Sequence, residues 1–293
     1  MKRWLYQLDV FTTKRYEGNP LAVVTDGDGL SKNQMQTIAR EMNLSETVFV
    51  QKPTSNRALA RLRIFTTREE LPLAGHPVIG TWFLMAELGV VPAQEGAVHI
   101  LQQTGAGILP VEITFHKGRP RWVTSTQKPV QFRPGKLDRK ELAAALGLAP
   151  RDFDSSLPIE FVSSGVFILM VPLRNRASLG RILLNMHGLY RVLRGQANVA
   201  YCFAMGRRGE AYSRGMLPWE IGEDPAPGGA AGPLGAYLVK HGRLKPGQAL
   251  WIAQGVEMGR PSRIHVEIRE SGGKLVPRVS GAAVRVFEAT IEA

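Results

Sequence analysis

Glu46 stands in Leu44-Ser45-Glu46-Thr47-Val48-Phe49-Val50, between two hydroxyl residues and ahead of an apolar run. A carboxylate at the polar start of a strand that soon enters an apolar core is partly desolvated. Desolvation favours its protonated form and suits it to take up and return a proton. An exposed glutamate at a strand end fits the same residues. A second kind of chemistry comes from two glycine-rich helix starts. Glu70-Leu71-Pro72-Leu73-Ala74-Gly75 and Glu223-Asp224-Pro225-Ala226-Pro227-Gly228 share Glu, Pro and Gly at the same offsets, a weak internal repeat. The first turn of a helix leaves backbone N–H groups without intrahelical partners at the positive end of its dipole. At Gly75, Gly228 and Gly229 there is no Cβ to hold a carboxylate off. Two such ends facing one another would grip an anion, whereas glycines that only turn a loop into a helix are the plainer reading. His76 could donate or act as an acid at the helix cap, or only satisfy backbone groups. Asp224 could orient a substrate hydroxyl or amine, or cap a turn.

Other chemistries find little footing. His76, His99, His116, His187, His241 and His265 are dispersed without a ligand-pair spacing, so no metal is expected. Gly27-Asp28-Gly29 and Gly105-Ala106-Gly107 do not extend into a dinucleotide fingerprint. Gly242 to Gly247 stops resembling a phosphate loop at Gln248, where lysine is required, so no cofactor is expected. No nucleophile-elbow serine is present. The lone cysteine, Cys202, excludes an internal disulfide, fits a reducing cytosol, and reads as a buried strand residue rather than a reactive thiol. The net charge of +12 is spread out. Its densest stretches, Arg174 to Arg181 and Arg207-Arg208, lack interleaved aromatics on which bases could stack. No nucleic-acid partner is expected, and a small anionic substrate would suit the charge. The longest apolar run, Val166 to Leu173, is too short to span a bilayer, and Asp9 interrupts the start before a signal peptide could form. A cytoplasmic protein away from membranes is therefore expected.

The elements that must position these residues follow from periodicity and caps. A chain of 293 residues with 44% hydrophobic content has room for two units. Tyr6 to Thr12 and Leu21 to Val24 read as strands around a turn at Glu17-Gly18-Asn19-Pro20. Ser31 and Gln34 form a capping box that opens a helix closed by Asn43, and strands follow at Leu44 to Val50 and Ala60 to Phe65. A helix capped by His76, with Pro77 at its first position, is apolar nearly all round through Leu88, as a fully buried helix would be. A hairpin is predicted around Lys117-Gly118 and a helix from Asp138 to Gly147. A second round then appears: strand Phe161 to Val171, helix Ser178 to Leu193, strand Val199 to Ala204, and a Gly-rich loop into a helix near Leu234 to Lys240.

Taken in order, Glu17-Gly18-Asn19-Pro20, Arg40 to Glu46, Glu70 to Pro77, Glu223-Asp224-Pro225-Ala226 and Gln254 to Ser262 form a set of five motifs. Together they resemble the PhzF family of phenazine-biosynthesis-like isomerases. The resemblance implies an α+β, diaminopimelate-epimerase-like fold of two similar halves, each a mixed β-sheet wrapped around a central apolar helix, with the active site between them. The halves would be 1–127 with a C-terminal strand at about 280–293, carrying Glu46 and His76, and 128–279, carrying Asp224 and the Gly228-Gly229 helix start. In the family's reference enzyme the glutamate matching Glu46 moves a proton between carbons of a dihydro-hydroxyanthranilate without metal or cofactor. Residues matching Gly75, His76 and Asp224 hold the substrate, and a homodimer is implied. Related epimerases use two cysteines where this chain has Ala74 and Pro227, so a two-thiol racemisation is excluded. The second helix start departs from the family's usual Asp-Pro-Ala-Thr-Gly-Ser, with Pro227 and Gly229 in place of the two hydroxyl residues. Its usual Arg-Met-Phe is altered to Arg214-Gly215-Met216. These changes imply the family's chemistry on another small carboxylated metabolite of antibiotic or other secondary metabolism, such as an alkylproline-precursor diene. The alternatives are a trans-2,3-dihydro-3-hydroxyanthranilate isomerase of phenazine biosynthesis and a metabolite-binding homologue without turnover.

Overall fold

The N-terminal strand β1 (Lys2–Val10) runs antiparallel to β2 (Asn19–Val24), and between them they bury Leu5, Leu8, Val10, Leu21 and Val23. The computed structural model describes residues 1–218 and 222–293. These divide into two units, Met1–Thr126 with Ser280–Ala293, and Gln127–Val279. In the first unit, α1 (Lys32–Met42) links β2 to the parallel strand β3 (Glu46–Gln51). The Ser31–Gln34 capping box forms, and Asn43 closes the helix at φ 51°. Antiparallel β4 (Ala60–Phe65) and β5 (Glu70–Leu71) lead into α2 (Gly75–Glu87). β6 (Gly96–Thr104) then returns parallel to β4, and β7 (Gly107–His116) and β8 (Arg119–Thr126) complete the meander.

Every residue from His76 to Ala86 is buried, so α2 forms the core around which these strands wrap. Glycine is required where the helix closes on the sheet. A Cβ at Gly80 would lie 2.6 Å from both Leu21 Cδ2 and Val10 Cγ2.

The second unit contains β9 (Gln131–Pro134), α3 (Arg139–Ala145), β10 (Glu160–Ser163), β11 (Phe167–Pro172), α4 (Arg176–Gly180), α5 (Met186–Leu193), β12 (Val199–Met205), β13 (Glu210–Leu217), β14 (Gly222–Asp224), α6 (Gly228–Lys240), β15 (Leu250–Gln254) and β16 (Ser262–Ser271). From it β17 (Lys274–Gly281) leads to β18 (Ala283–Glu292), which pairs antiparallel with β1 in the first unit. The order of pairings repeats. β10 and β11 are antiparallel like β1 and β2, and β12 lies parallel to β11 as β3 does to β2. β13 and β14 follow as β4 and β5 do, and α6 and β15 correspond to α2 and β6. The helices α2 and α6 have 13 residues each. The architecture is α+β, a mixed sheet around a buried apolar helix built twice. Among the described residues no helix is long and apolar enough to cross a membrane.

Four sequence expectations change. The predicted strand Phe161 to Val171 is a hairpin, because Gly165 N–H turns back to Ser163 Oγ. The predicted helix Ser178 to Leu193 is two helices. Leu183 and Asn185 donate to the carbonyls of Leu146 and Ala145, which draws the intervening chain out of helical geometry, and the Asn185 side chain caps α5. Helix α6 starts at Gly228 rather than near Leu234. Gly235 serves packing: a Cβ there would lie 2.7 Å from Val266 Cγ1 and 2.9 Å from Ile268 Cδ1. Finally, the N-cap of α2 is Ala74, not His76, and no side chain caps it.

Candidate active site

Glu46 opens β3, registered opposite Leu21 of β2, with its side chain 14% exposed. Because Ala74 takes the cap position, the His76 ring is released from backbone capping and lies inside the first turn of α2, 2% exposed. Its Nε2 lies 3.3 Å from Glu46 Oε2. Burial pushes the His76 pKa down to about 3, so the ring is neutral at physiological pH. On the ring's other edge Nδ1 lies 3.2 Å from Nδ2 of the fully buried Asn19.

Asn19 is the residue that sequence reasoning passes over as part of a turn. It is the first residue of β2, opposite Val10, and Gly18 delivers it there. At φ 69°, Gly18 has a conformation in which a Cβ would lie 2.3 Å from the Val10 carbonyl oxygen. The usable signal was an amide residue immediately before Pro20 and the apolar run Leu21 to Val24, where a side chain must be buried. Just ahead of α2, Glu70 accepts from Arg63 Nε at 2.7 Å and Nη2 at 2.8 Å, and this pairing holds its carboxyl below the usual range.

The second unit repeats that last device. Glu223 of β14 accepts from Arg214 Nε at 2.8 Å and Nη2 at 2.7 Å, while Arg214 Nη1 donates to the carbonyls of Leu179 and Ile182. Asp224 is buried at the end of β14, where its Oδ1 accepts from Ala226 N–H at 2.8 Å and its carbonyl accepts from Gln254 Nε2 at 3.0 Å. Beneath it the Tyr201 hydroxyl donates to Gln254 Oε1 at 2.7 Å, and Ser213 Oγ lies 2.9 Å from the Tyr201 oxygen. Burial raises the Tyr201 pKa well above the usual phenol range, so the hydroxyl stays neutral while it donates to Gln254 and accepts from Ser213. The Gln254 to Ser262 motif closes backbone to backbone: at Gly255, φ 74°, a Cβ would lie 2.2 Å from Arg260 O and 2.8 Å from Pro225 O.

Gly228 is buried and Gly229 exposed, and a Cβ at Gly229 would have nothing within 4 Å. Pro227, the N-cap of α6, fills the space above Gly215, where a Cβ would lie 2.9 Å from Pro227 Cγ. Of the residues singled out from sequence, the fold therefore gathers Gly75, His76 and Glu46 in the first unit, and Asp224, Gly228 and Gly229 in the second. Cys202 is fully buried in β12, its thiol pushed up to about 12, as a buried strand residue should be. Among the described residues no three His, Cys, Asp or Glu side chains are grouped as a metal site.

Comparison with known proteins places this chain in a family. The profile described as a phenazine biosynthesis-like protein (PhzC-PhzF) matches residues 8–289. The trans-2,3-dihydro-3-hydroxyanthranilate isomerase of Pseudomonas chlororaphis is 38% identical over 288 residues, 97% of each chain. A PhzF-family phenazine biosynthesis protein of Bacillus anthracis superposes with a TM-score of 0.89 at 30% identity over 100% of both chains. A probable proline racemase of Agrobacterium radiobacter, 13% identical over 99% of this chain and 93% of its own, shares the fold at a TM-score of 0.72. The chain belongs to the PhzF family of phenazine biosynthesis-like proteins and is an isomerase of that family.

Proposed function

We propose that the protein shifts a proton, and with it a double bond, within a small conjugated carboxylate, using Glu46 as the acid/base and neither metal nor cofactor. The Glu46 carboxylate takes a proton from one carbon, the C–H electron pair moves into the conjugated system, and the same carboxyl returns the proton to another carbon. Atoms and charge are unchanged after one cycle. His76 and Gly75 hold the substrate beside Glu46, and Asp224, Gly228 and Gly229 contribute the remaining binding groups. The observation that carries this reading is the 3.3 Å approach of a buried neutral imidazole to a partly buried carboxylate, a setting in which a carboxyl exchanges protons with carbon rather than with water.

Pro227 seated over Gly215 and the bare Gly229 favour a substrate other than dihydro-hydroxyanthranilate, such as an alkylproline-precursor diene. The 38% identity to the Pseudomonas chlororaphis isomerase favours the phenazine precursor itself. Purified protein incubated with trans-2,3-dihydro-3-hydroxyanthranilate and followed by absorbance separates the two, and rapid turnover overturns the first. On whichever substrate is converted, Glu46→Gln should reduce kcat roughly 100- to 10,000-fold, and full activity in that variant removes Glu46 from the mechanism.

A further inference from the structure

We propose that Asn19 is a positioning residue, which donates to Nδ1 of His76 and thereby holds the ring as the Nε2–H tautomer facing Glu46. The inference rests on the reading of Glu46 and His76 just given, but it is set by the first unit's own geometry. A neutral imidazole carries one N–H, and the bond made by one ring nitrogen decides which nitrogen bears it. At 3.3 Å from a carboxylate oxygen, a bare Nε2 lone pair would face another lone pair, so the proton belongs on Nε2. Nδ1 is then an acceptor that needs a donor in a site closed to water, and the group 3.2 Å away is an amide nitrogen, which can only donate.

The chain builds this contact from two directions. Gly18 bends the backbone tightly enough to start β2 with a buried amide side chain, in register with Val10. Gly80 lets α2 sit close on Leu21 and Val10, so the ring in its first turn meets Asn19. The Glu17-Gly18-Asn19-Pro20 segment thus does more than turn the chain, since it fixes which edge of the imidazole faces the acid/base.

The proposal is tested by long-range 1H–15N NMR of the histidine ring nitrogens in the full-length protein, with His76→Gln used for assignment. Wild type should show Nδ1 unprotonated and Nε2 protonated, and protonated Nδ1 in wild type overturns the proposal. Asn19→Asp, whose carboxylate can only accept, should place a proton on Nδ1 and lower kcat about 10- to 100-fold with KM little changed. An Asn19→Asp protein that keeps Nδ1 bare overturns it, whatever its activity. Should Asn19→Asp fail to fold, the wild-type spectrum decides alone. Because the tautomer is read without substrate, an active Glu46→Gln variant would defeat the proton-shuttle reading while leaving the Asn19 result to stand or fall separately.

Discussion

Acidification should destabilise this protein through His76 by an amount the burial of the ring sets. In the folded chain the imidazole titrates at about 3, against 6.5 for an exposed ring. Between those values the unfolded chain binds a proton that the folded chain refuses, so stability is full above about 6.5 and falls as pH drops toward about 3. A displaced proton changes stability by about 1.4 kcal/mol per pH unit, so the loss between pH 8 and pH 4.5 is on the order of 3 kcal/mol. With the ring 2% exposed, solvent screening discounts little of this. Carboxylates also titrate in this range, so the quantity to measure is a difference. Denaturant unfolding of wild type and His76→Gln at steps from pH 8 to pH 4.5 isolates it, with wild type losing on the order of 3 kcal/mol more than the variant. A flat difference, or one of opposite sign, would show that His76 is protonated in the folded state and refute the neutral-ring argument.

Four further substitutions test the packing around the second helix start. Gly215→Ala pushes a Cβ to 2.9 Å from Pro227 Cγ and 3.3 Å from Gln254 Nε2, and should cost about 1–3 kcal/mol of unfolding free energy. Adding Pro227→Ala should recover most of that loss, and additive effects in the double-mutant cycle would show that the two sites are not in contact. Arg214→Leu strips the donors from Glu223 and from the carbonyls of Leu179 and Ile182, and should cost about 3 kcal/mol, read as a lowered denaturation midpoint. Gly229→Ser enters open space and should change stability by no more than about 0.5 kcal/mol. If the lost hydroxyl sets substrate choice, the variant's turnover of dihydro-hydroxyanthranilate should rise relative to wild type.

Elements with local signals were legible in the sequence. The capping box of α1, the left-handed Asn43, the Lys117-Gly118 turn and the all-round apolar pattern of α2 each depend on a few adjacent residues. Elements whose logic is tertiary were not. The break between α4 and α5 is made by carbonyls of Ala145 and Leu146, and the glycine-rich stretch that reads as a loop ahead of Leu234 is helical in a chain packed closely at Gly232 by Gln127 and Pro277 and at Gly235 by Val266 and Ile268. The candidate site divides in the same way. Glu46 and His76 are visible as residue types in suggestive places. Their 3.3 Å approach and the supporting amide of Asn19 depend on how closely α2 settles on β2, which Gly80 decides from the helix interior. The Glu70 and Glu223 repeat proves deeper than a six-residue match, since each carboxylate is clamped by an arginine of the preceding long strand.

That duplication sharpens the proposed chemistry, because the scaffold is repeated and the Glu46 carboxylate is not. Val199 opens β12 where Glu46 opens β3, Val166, two residues before the register partner of Val199, stands where Asn19 stands two before that of Glu46, and Gly229 is the second residue of α6 where His76 is the second of α2. Asp224, a buried carboxylate of the second unit, stands where the first has Leu71, with one oxygen tied to Ala226 N–H. A duplicated fold with an acid/base at both equivalent positions could remove a proton with one group and deliver another with the second. Of these equivalent positions among the described residues only Glu46 is a carboxylate, so on the function proposed above the proton that Glu46 removes should be the proton it returns. A substrate deuterated at the carbon that loses its hydrogen, followed through a single turnover in ordinary water, should carry label to the carbon that gains one. Complete washout in that first turnover would mean that a second group or solvent supplies the proton, and the single-carboxylate mechanism would have to be abandoned.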